Sequence, residues 1–236
     1  MPTNDPVLVK EQYADERNLQ ARKALYAERE GENPPDVLWR KLSSDWRPTR
    51  VLEVGGGEGE LAARMRDELG AQVTFLDQSE RMVEIAQGRG LDAHVGDVQD
   101  LPFADASFDT VVAAWMLYHV QDIDRALAEI ARVLEPGGAL VAVTNSVRHL
   151  AELRELVGVI QPGFEHQFNA ENGDELLRPH FAKVERIDTE VKVTVRARET
   201  LVAYQRSLST ASRPIPDQVE LPFIVHGRCA IFCAAT

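Results

Sequence analysis

Cysteine is scarce, with two in 236 residues. Cys229 and Cys233 stand four apart. On a strand they share a face about 13 Å apart, well beyond the about 7 Å between Cα atoms that a disulfide tolerates. No further ligands at a recognisable spacing accompany them, so no metal site is expected. Buried, reduced thiols suit a cytosolic protein. Long apolar runs are missing as well. The longest, Val111 to Leu117, falls far short of the roughly 20 residues that cross a bilayer. Residues Met1 to Pro6 lack the basic-then-apolar plan of a secretory signal. These absences give the expectation of a cytoplasmic protein without a membrane partner.

Basic charge is also short. The formal net charge is −12, and residues 51–145 hold 6 basic groups against 17 acidic ones. The flanks are near balance, with 9 and 9 in residues 1–50 and 11 and 12 in residues 146–236. No segment is basic, so the phosphate neutralisation that drives nucleic-acid binding has no footprint, and no nucleic-acid partner is expected. Repeats and low-complexity tracts are absent. What remains is globular composition, 44% hydrophobic and 27% charged, which excludes a disordered, collagenous or mucin-like chain. The length supports one substantial core.

The middle of the chain alternates strand and helix signals. Strands are expected over 50–54, 72–77, 91–95, 108–114 and 139–143. Between them, Leu61, Met65 and Leu69 mark one face of a helix that Gly70 stops. Ser79 caps a helix that Gly88 ends. Asp122 caps another, whose stripe is Ile123, Leu127, Ile130 and Leu134, with Pro136-Gly137-Gly138 as its stop. Near-continuous apolar strands separated by amphipathic helices predict a parallel sheet covered on both faces, a doubly wound α/β domain. Residues 7–46 read as helical with a break at Pro34-Pro35. Helices over 149–157, 172–178 and 198–207 and strands over 182–195 and 223–235 follow, which brings the strands to seven. Residues 209–222 hold three prolines and read as loop.

The strongest local signal runs from Val51 to Ala62, Val-Leu-Glu-Val-Gly-Gly-Gly-Glu-Gly-Glu-Leu-Ala. A glycine cluster between strand and helix lets a ligand approach the backbone and aims free N–H groups at it. Such ligands lie beyond the carboxyl ends of the strands, at the switch point of the sheet. A dinucleotide fingerprint starting at Gly55 meets Glu60 where its third glycine belongs. Starting at Gly57 it reaches Ala62, an allowed variant, but two residues late. Glu53, Glu58 and Glu60 crowd the turn, poor company for a diphosphate and better suited to a cation.

The Glu53, Gly55, Gly57, Gly59 pattern resembles motif I of class I S-adenosylmethionine-dependent methyltransferases. Asp77 at the end of the second strand and Gly96-Asp97-Val98 after the third agree. So do Asp100-Leu101-Pro102-Phe103 with Ser107-Phe108-Asp109, and Arg132 to Gly138, which look like the type 11 subfamily. The resemblance spans roughly residues 49–145. It implies a Rossmann-like, seven-stranded sheet, mostly parallel with an antiparallel last strand, and a helical N-terminal cap over residues 1–48. Residues 146–236 then complete the sheet and the acceptor site of the same domain.

The resemblance also implies roles. Glu53 serves the cationic methionine end of S-adenosylmethionine, with Gly55, Gly56 and Gly57 at the turn. Gly56 stands where many relatives carry Cys or Ser, with little consequence expected. Asp77 meets the ribose, and Gly96 and Asp97 the adenine. Gln78, Met82 and Val98 line the adenosine pocket, or pack the core. Ala114 touches the cofactor through its backbone. Tyr13-Ala14-Asp15-Glu16-Arg17 looks like the lead segment of small methyltransferases, and Tyr13 is a candidate lid. His119, whose imidazole titrates near neutrality, is the candidate base, or a packing residue. Trp115, Tyr118 and His166, the last among Phe164, Glu165 and Phe168, are candidate acceptor contacts. His149, His180 and His226 have no supporting pattern and read as structural or exposed.

The expected activity is methyl transfer from S-adenosylmethionine to an oxygen, nitrogen or carbon nucleophile of a small molecule, by a monomer or homodimer. The alternatives are a nicotinamide-dependent oxidoreductase and a non-catalytic S-adenosylmethionine-binding protein.

Overall fold

In the computed structural model, residues 17–159, 166–208 and 212–236 are described. The chain enters through helix α1 (Arg17–Leu25), strand β1 (Arg29–Gly31) and helix α2 (Pro34–Arg40), which a wider helical turn over Lys41–Trp46 extends. An alternating path follows: β2 (Arg50–Val54), α3 (Glu60–Leu69), β3 (Gln72–Asp77), α4 (Glu80–Gly88), β4 (Asp92–Val95), β5 (Phe108–Ala114), α5 (Ile123–Val133) and β6 (Leu134–Asn145). Then come α6 (Ala151–Val157), α7 (Gly173–Leu177), β7 (Lys183–Val195), α8 (Arg198–Arg206) and β8 (Phe223–Ala235).

Among the described residues one sheet holds every strand, in the order β1-β7-β8-β6-β5-β2-β3-β4. From β4 to β6 the neighbours are parallel, while β8 runs antiparallel between β6 and β7. The expected Rossmann-like α/β class and antiparallel last strand are observed. Among the described residues the sheet has eight strands, where seven were expected. The addition is β1, whose Arg29, Glu30 and Gly31 pair with Val193, Lys192 and Val191. All three β1 residues are exposed. Backbone pairing alone makes this strand, so it carries no apolar alternation to read.

The helices keep their expected caps with small displacements. Gly70 closes α3 in the left-handed conformation. The Ser79 hydroxyl accepts the Met82 N–H at 3.4 Å, and Asp122 accepts the Arg125 N–H at 3.1 Å. Helix α5 stops at Val133, not at Pro136, because β6 begins at Leu134 and absorbs Glu135–Gly138 in a register shift against β5. Its buried face is therefore Ala126, Leu127, Ile130 and Val133. Pro34 and Pro35 do not break a helix. They open α2, in the first turn, where a missing N–H costs nothing.

Apolar side chains cover both faces of the sheet, one face under α5 and α7, the other under α2, α3 and α4. A third cluster packs α6 and α8 against β7 and β8. Cys229 and Cys233 are buried free thiols. Among the described residues no helix is long and apolar enough to cross a membrane, and no three His, Cys, Asp or Glu side chains group to hold a metal.

Candidate functional site

The parallel strands bring Val54, Asp77, Val95, Ala114 and Asn145 to one end of the sheet. The glycine turn leaves β2 there. Gly55, Gly57 and Gly59 hold φ of 63, 59 and 70°, a region that side-chain-bearing residues avoid. The Gly55 N–H donates to Leu76 O at 2.8 Å, fastening the turn to β3. A Cβ on Gly57 would meet nothing within 4 Å, so that peptide faces open space. A Cβ on Gly56 would run into the Glu53 carboxylate. Gly56 is therefore not a neutral position in this chain, because the carboxylate lies directly against its α-carbon.

Glu53 is the centre of the arrangement. It is 1% exposed, and among the described residues its Oε2 has no hydrogen-bond partner. The Ala62 N–H in the first turn of α3 donates to the carboxylate. Burial, with the nearby Asp77 charge, pushes its pKa up to about 8 against that bond. Asp77 accepts the Ser79 N–H at 2.9 Å, and the Gly57 and Gln78 N–H groups as well. Burial still raises its pKa to about 6. A buried carboxylate oxygen without a donor is costly unless it is protonated or met by a cation. This donor set fits an ammonium or sulfonium. It offers a diphosphate no counter-charge.

Lys23 of α1 offsets one of the two charges that Glu58 and Glu60 bring to the turn. It binds both, at 3.0 and 2.9 Å. Glu53 and Asp77 are the carboxylates that backbone N–H groups hold at the turn itself.

At the end of β4, Gly96 donates its N–H to Asp77 O at 3.0 Å, and a Cβ there would press on Leu76. Asp97 is half-buried and accepts the Gln99 N–H at 2.9 Å and its side-chain amide. Met82 and Val98 are fully buried, Val98 in the core under α5. Gln78 is exposed. After β5, Met116 packs over Gly55. Ala114 and Trp115 are half-buried, and Trp115 takes a left-handed φ of 57° while its N–H donates to Val143 O at 2.8 Å. Tyr118 and His119 lie in a short helical turn with their rings edge to face, 4.5 Å between centroids.

Comparison with known proteins decides the identity of the central segment. The methyltransferase domain model of type 11 matches residues 52–142. Residues 52–142 are a methyltransferase domain. This domain is 39% identical over 120 residues to the ubiquinone/menaquinone biosynthesis C-methyltransferase of Desulfotalea psychrophila, covering 47% of this chain and 49% of that one. It is 37% identical over 122 residues to the malonyl-[acyl-carrier protein] O-methyltransferase of Pseudescherichia vulneris, covering 51% and 48%. The chain thus spans about half the length of the curated relatives it matches. The crystal structure of phosphoethanolamine N-methyltransferase 2 from Haemonchus contortus, in complex with phosphomonomethylethanolamine and S-adenosylhomocysteine, shares the fold at a TM-score of 0.65 and 17% identity, covering 100% of this chain and 60% of that one.

The methyltransferase domain holds the glycine turn, Glu53, Asp77, Asp97 and the segment after β5. Of the candidates outside it, Tyr13 lies outside the described residues, as do Phe164 and Glu165. His166 is exposed. Phe168 does not wall a substrate site. It is buried in the core, its ring edge-on to Phe232 at 5.7 Å. The three histidines without a pattern all have partners: His180 with Asp124 at 2.8 Å, His226 with Glu152 at 2.7 Å, and His149 with Tyr26 at 2.8 Å. The last pair stands beside Cys229 and the domain's own Trp115. No motif flags it, since its members are 123 residues apart.

Proposed function

We propose that the chain transfers a methyl group from S-adenosylmethionine to an oxygen, nitrogen or carbon nucleophile on a small molecule. The observation that carries this reading is the buried Glu53 carboxylate, with an oxygen left without a donor beside an open glycine turn. S-adenosylmethionine, when bound, supplies an activated methyl group on a cationic sulfur. Glu53 would hold the cationic methionine end, Asp77 the ribose and Asp97 the adenine, with Gln78, Met82, Gly96 and Val98 around the adenosine. The backbone at Ala114 would flank the methyl group. The chain's main task is then to align the nucleophile with the S–C bond and keep water out. Because the positive charge vanishes from sulfur on transfer, a pocket with too strong a negative field would hold the ground state too well. Glu53 and Asp77 would supply that field, with Lys23 offsetting part of the charge of Glu58 and Glu60.

The acceptor side belongs, on this reading, to residues 146–236 and the N-terminal segment, with Trp115, Tyr118 and His119 between. The reduced thiols fit a cytoplasmic location, as a monomer or homodimer. Calorimetric titration with S-adenosylhomocysteine and with NADH tests the cofactor. Binding of the former and none of the latter is expected, and the reverse would overturn the proposal. Tritium transfer from labelled S-adenosylmethionine into a metabolite extract then tests turnover.

A further inference from the structure

At the end of β4, a side chain that no role above uses holds one that does. Gly96 turns the chain out of the strand, and Asp97 and Gln99 follow. The Gln99 N–H donates to Asp97 Oδ1 at 2.9 Å. The Gln99 side-chain amide turns back on the same carboxylate, with Nε2 3.0 Å from Oδ1 and 2.9 Å from Oδ2. The other end of the amide is fixed too. Gln99 Oε1 accepts the Asp122 N–H at 2.9 Å, and Asp122 is the residue that caps α5. With the amide oxygen committed to that N–H, its NH2 end is the one that faces Asp97.

Further along, the same loop is fastened to the body of α5. Glu129 accepts the Leu101 N–H at 2.9 Å. Arg132 donates to the Leu101 and Phe103 carbonyls at 3.0 and 2.8 Å. Val98 packs in the core beneath the helix. The backbone around Asp97 is therefore held to α5, and Gln99 sets the direction of the carboxylate.

Two carboxylate oxygens offer about four lone-pair sites. Among the described residues, Asp97 Oδ1 takes two donors and Oδ2 takes one. One site on Oδ2 is left. It matches a single N–H of an exocyclic amine. A ring carbonyl in the same place would set oxygen against oxygen, and half-buried Asp97 leaves little water to relieve the mismatch.

We propose that Gln99 is the positioning residue for recognition of the adenine. It locks the Asp97 carboxylate so that one lone pair faces the exocyclic amine, and a hypoxanthine ring is refused. This rests on the reading above in which Asp97 meets the adenine. Gln99 acts through Asp97 and touches no part of the ligand itself.

The test is calorimetry on the full chain at pH 8 with two ligands. One is S-adenosylhomocysteine. The other is S-inosylhomocysteine, which carries a ring carbonyl in place of the amine. The native chain should favour the first by about 10-fold to 100-fold. Gln99→Ala frees the carboxylate to rotate. It is expected to weaken S-adenosylhomocysteine by about 5-fold to 10-fold and to cut the preference to about a third or less. Gln99→Glu is the discriminating variant. It keeps an acceptor for the Asp122 N–H but sets a second negative charge against Asp97. Were Gln99 only a tie between the loop and α5, Gln99→Glu would be milder than Gln99→Ala. The positioning role predicts the opposite order, with Gln99→Glu weaker by about threefold or more. An unchanged preference in Gln99→Ala, or the milder Gln99→Glu, overturns the inference.

Asp97→Ala separates the two ways of failing. If it weakens S-adenosylhomocysteine by about tenfold while both Gln99 variants bind like the native chain, the inference falls and the role of Asp97 stands. If Asp97→Ala binds like the native chain, the adenine does not meet Asp97, and reading and inference fall together. A crystal with S-adenosylhomocysteine gives the decision without affinities. The adenine amine should lie about 2.7–3.2 Å from Asp97 Oδ2, with the Gln99 amide still on both oxygens. An amide swung onto the base itself overturns the assignment.

Discussion

Within the methyltransferase domain, the polar groups around the crevice are fixed by nearby backbone. Asp77 takes N–H groups from Gly57, Gln78 and Ser79, Glu53 takes one from Ala62, and Asp97 one from Gln99. In the flanks the same work is done by side chains far apart in sequence, such as Lys23 with Glu58 and Glu60, Tyr26 with His149, and Glu152 with His226. A backbone-held carboxylate stays in place whatever its side-chain neighbours are. A side-chain pair is lost with either partner. The comparison separates a domain whose carboxylates tolerate change around them from flanks in which a single substitution undoes a pair.

The sharpest way to break that contrast is at Glu53. Glu53→Gln keeps the shape and removes the charge that a bound cation would meet. An unpaired buried charge costs about 3–5 kcal/mol, so S-adenosylhomocysteine affinity at pH 8 should fall by more than 100-fold by calorimetry. The fold should survive, since Gln also spares the apo protein a buried ionisation. A loss below tenfold would move the cationic end of the ligand elsewhere.

The pH dependence sharpens the same point. The fold holds the Glu53 proton up to about pH 8, against 4.5 for the free side chain. Between these values the folded chain binds more protons than the unfolded one, so apo stability falls as pH rises through that window. Binding a cation requires the carboxylate, so ligand affinity should climb from pH 6 to pH 8, by roughly 30-fold to 100-fold, and then level off. The melting temperature with and without S-adenosylhomocysteine measures both trends. Affinity flat across this range would mean that Glu53 does not ionise on binding. Asp77→Ala comes next. Losing a charge-assisted bond costs about 1–3 kcal/mol, a tenfold to hundredfold weaker Kd. An unchanged Kd would remove Asp77 from the ribose.

The same contrast explains what could be read from residues alone. Strands β2 to β6, the caps at Ser79 and Asp122 and the stop at Gly70 are short-range facts, written within a few residues of where they act. The long β7 and β8 were legible as strand candidates over 182–195 and 223–235. Strand β1 was not, because Arg29, Glu30 and Gly31 bury nothing and owe their conformation to β7. Burial of Glu53 beneath Gly56 was also hidden, as was the pairing of Glu58 and Glu60 with a lysine from another element. His149 read as featureless because its partner lies 123 residues upstream. Pattern reading sees periodicity and spacing, and long-range side-chain pairs have neither.

The smallest expected effect tests whether the two halves are coupled at all. Lys23 is 42% exposed at its side chain, and its partners Glu58 and Glu60 are 8% and 59% exposed. Solvent screens such pairs, which are worth about 0.2–1 kcal/mol. The buried Glu58 puts this one toward the upper end. Lys23→Ala should therefore lower the melting temperature by only a few degrees and weaken S-adenosylhomocysteine by about twofold. The glycine turn keeps its shape through Gly55 to Leu76 and Gly57 to Asp77. A tenfold loss of affinity would show that α1 holds the turn in its binding form. In that event the glycine turn is not self-sufficient, and its binding form depends on one lysine of α1.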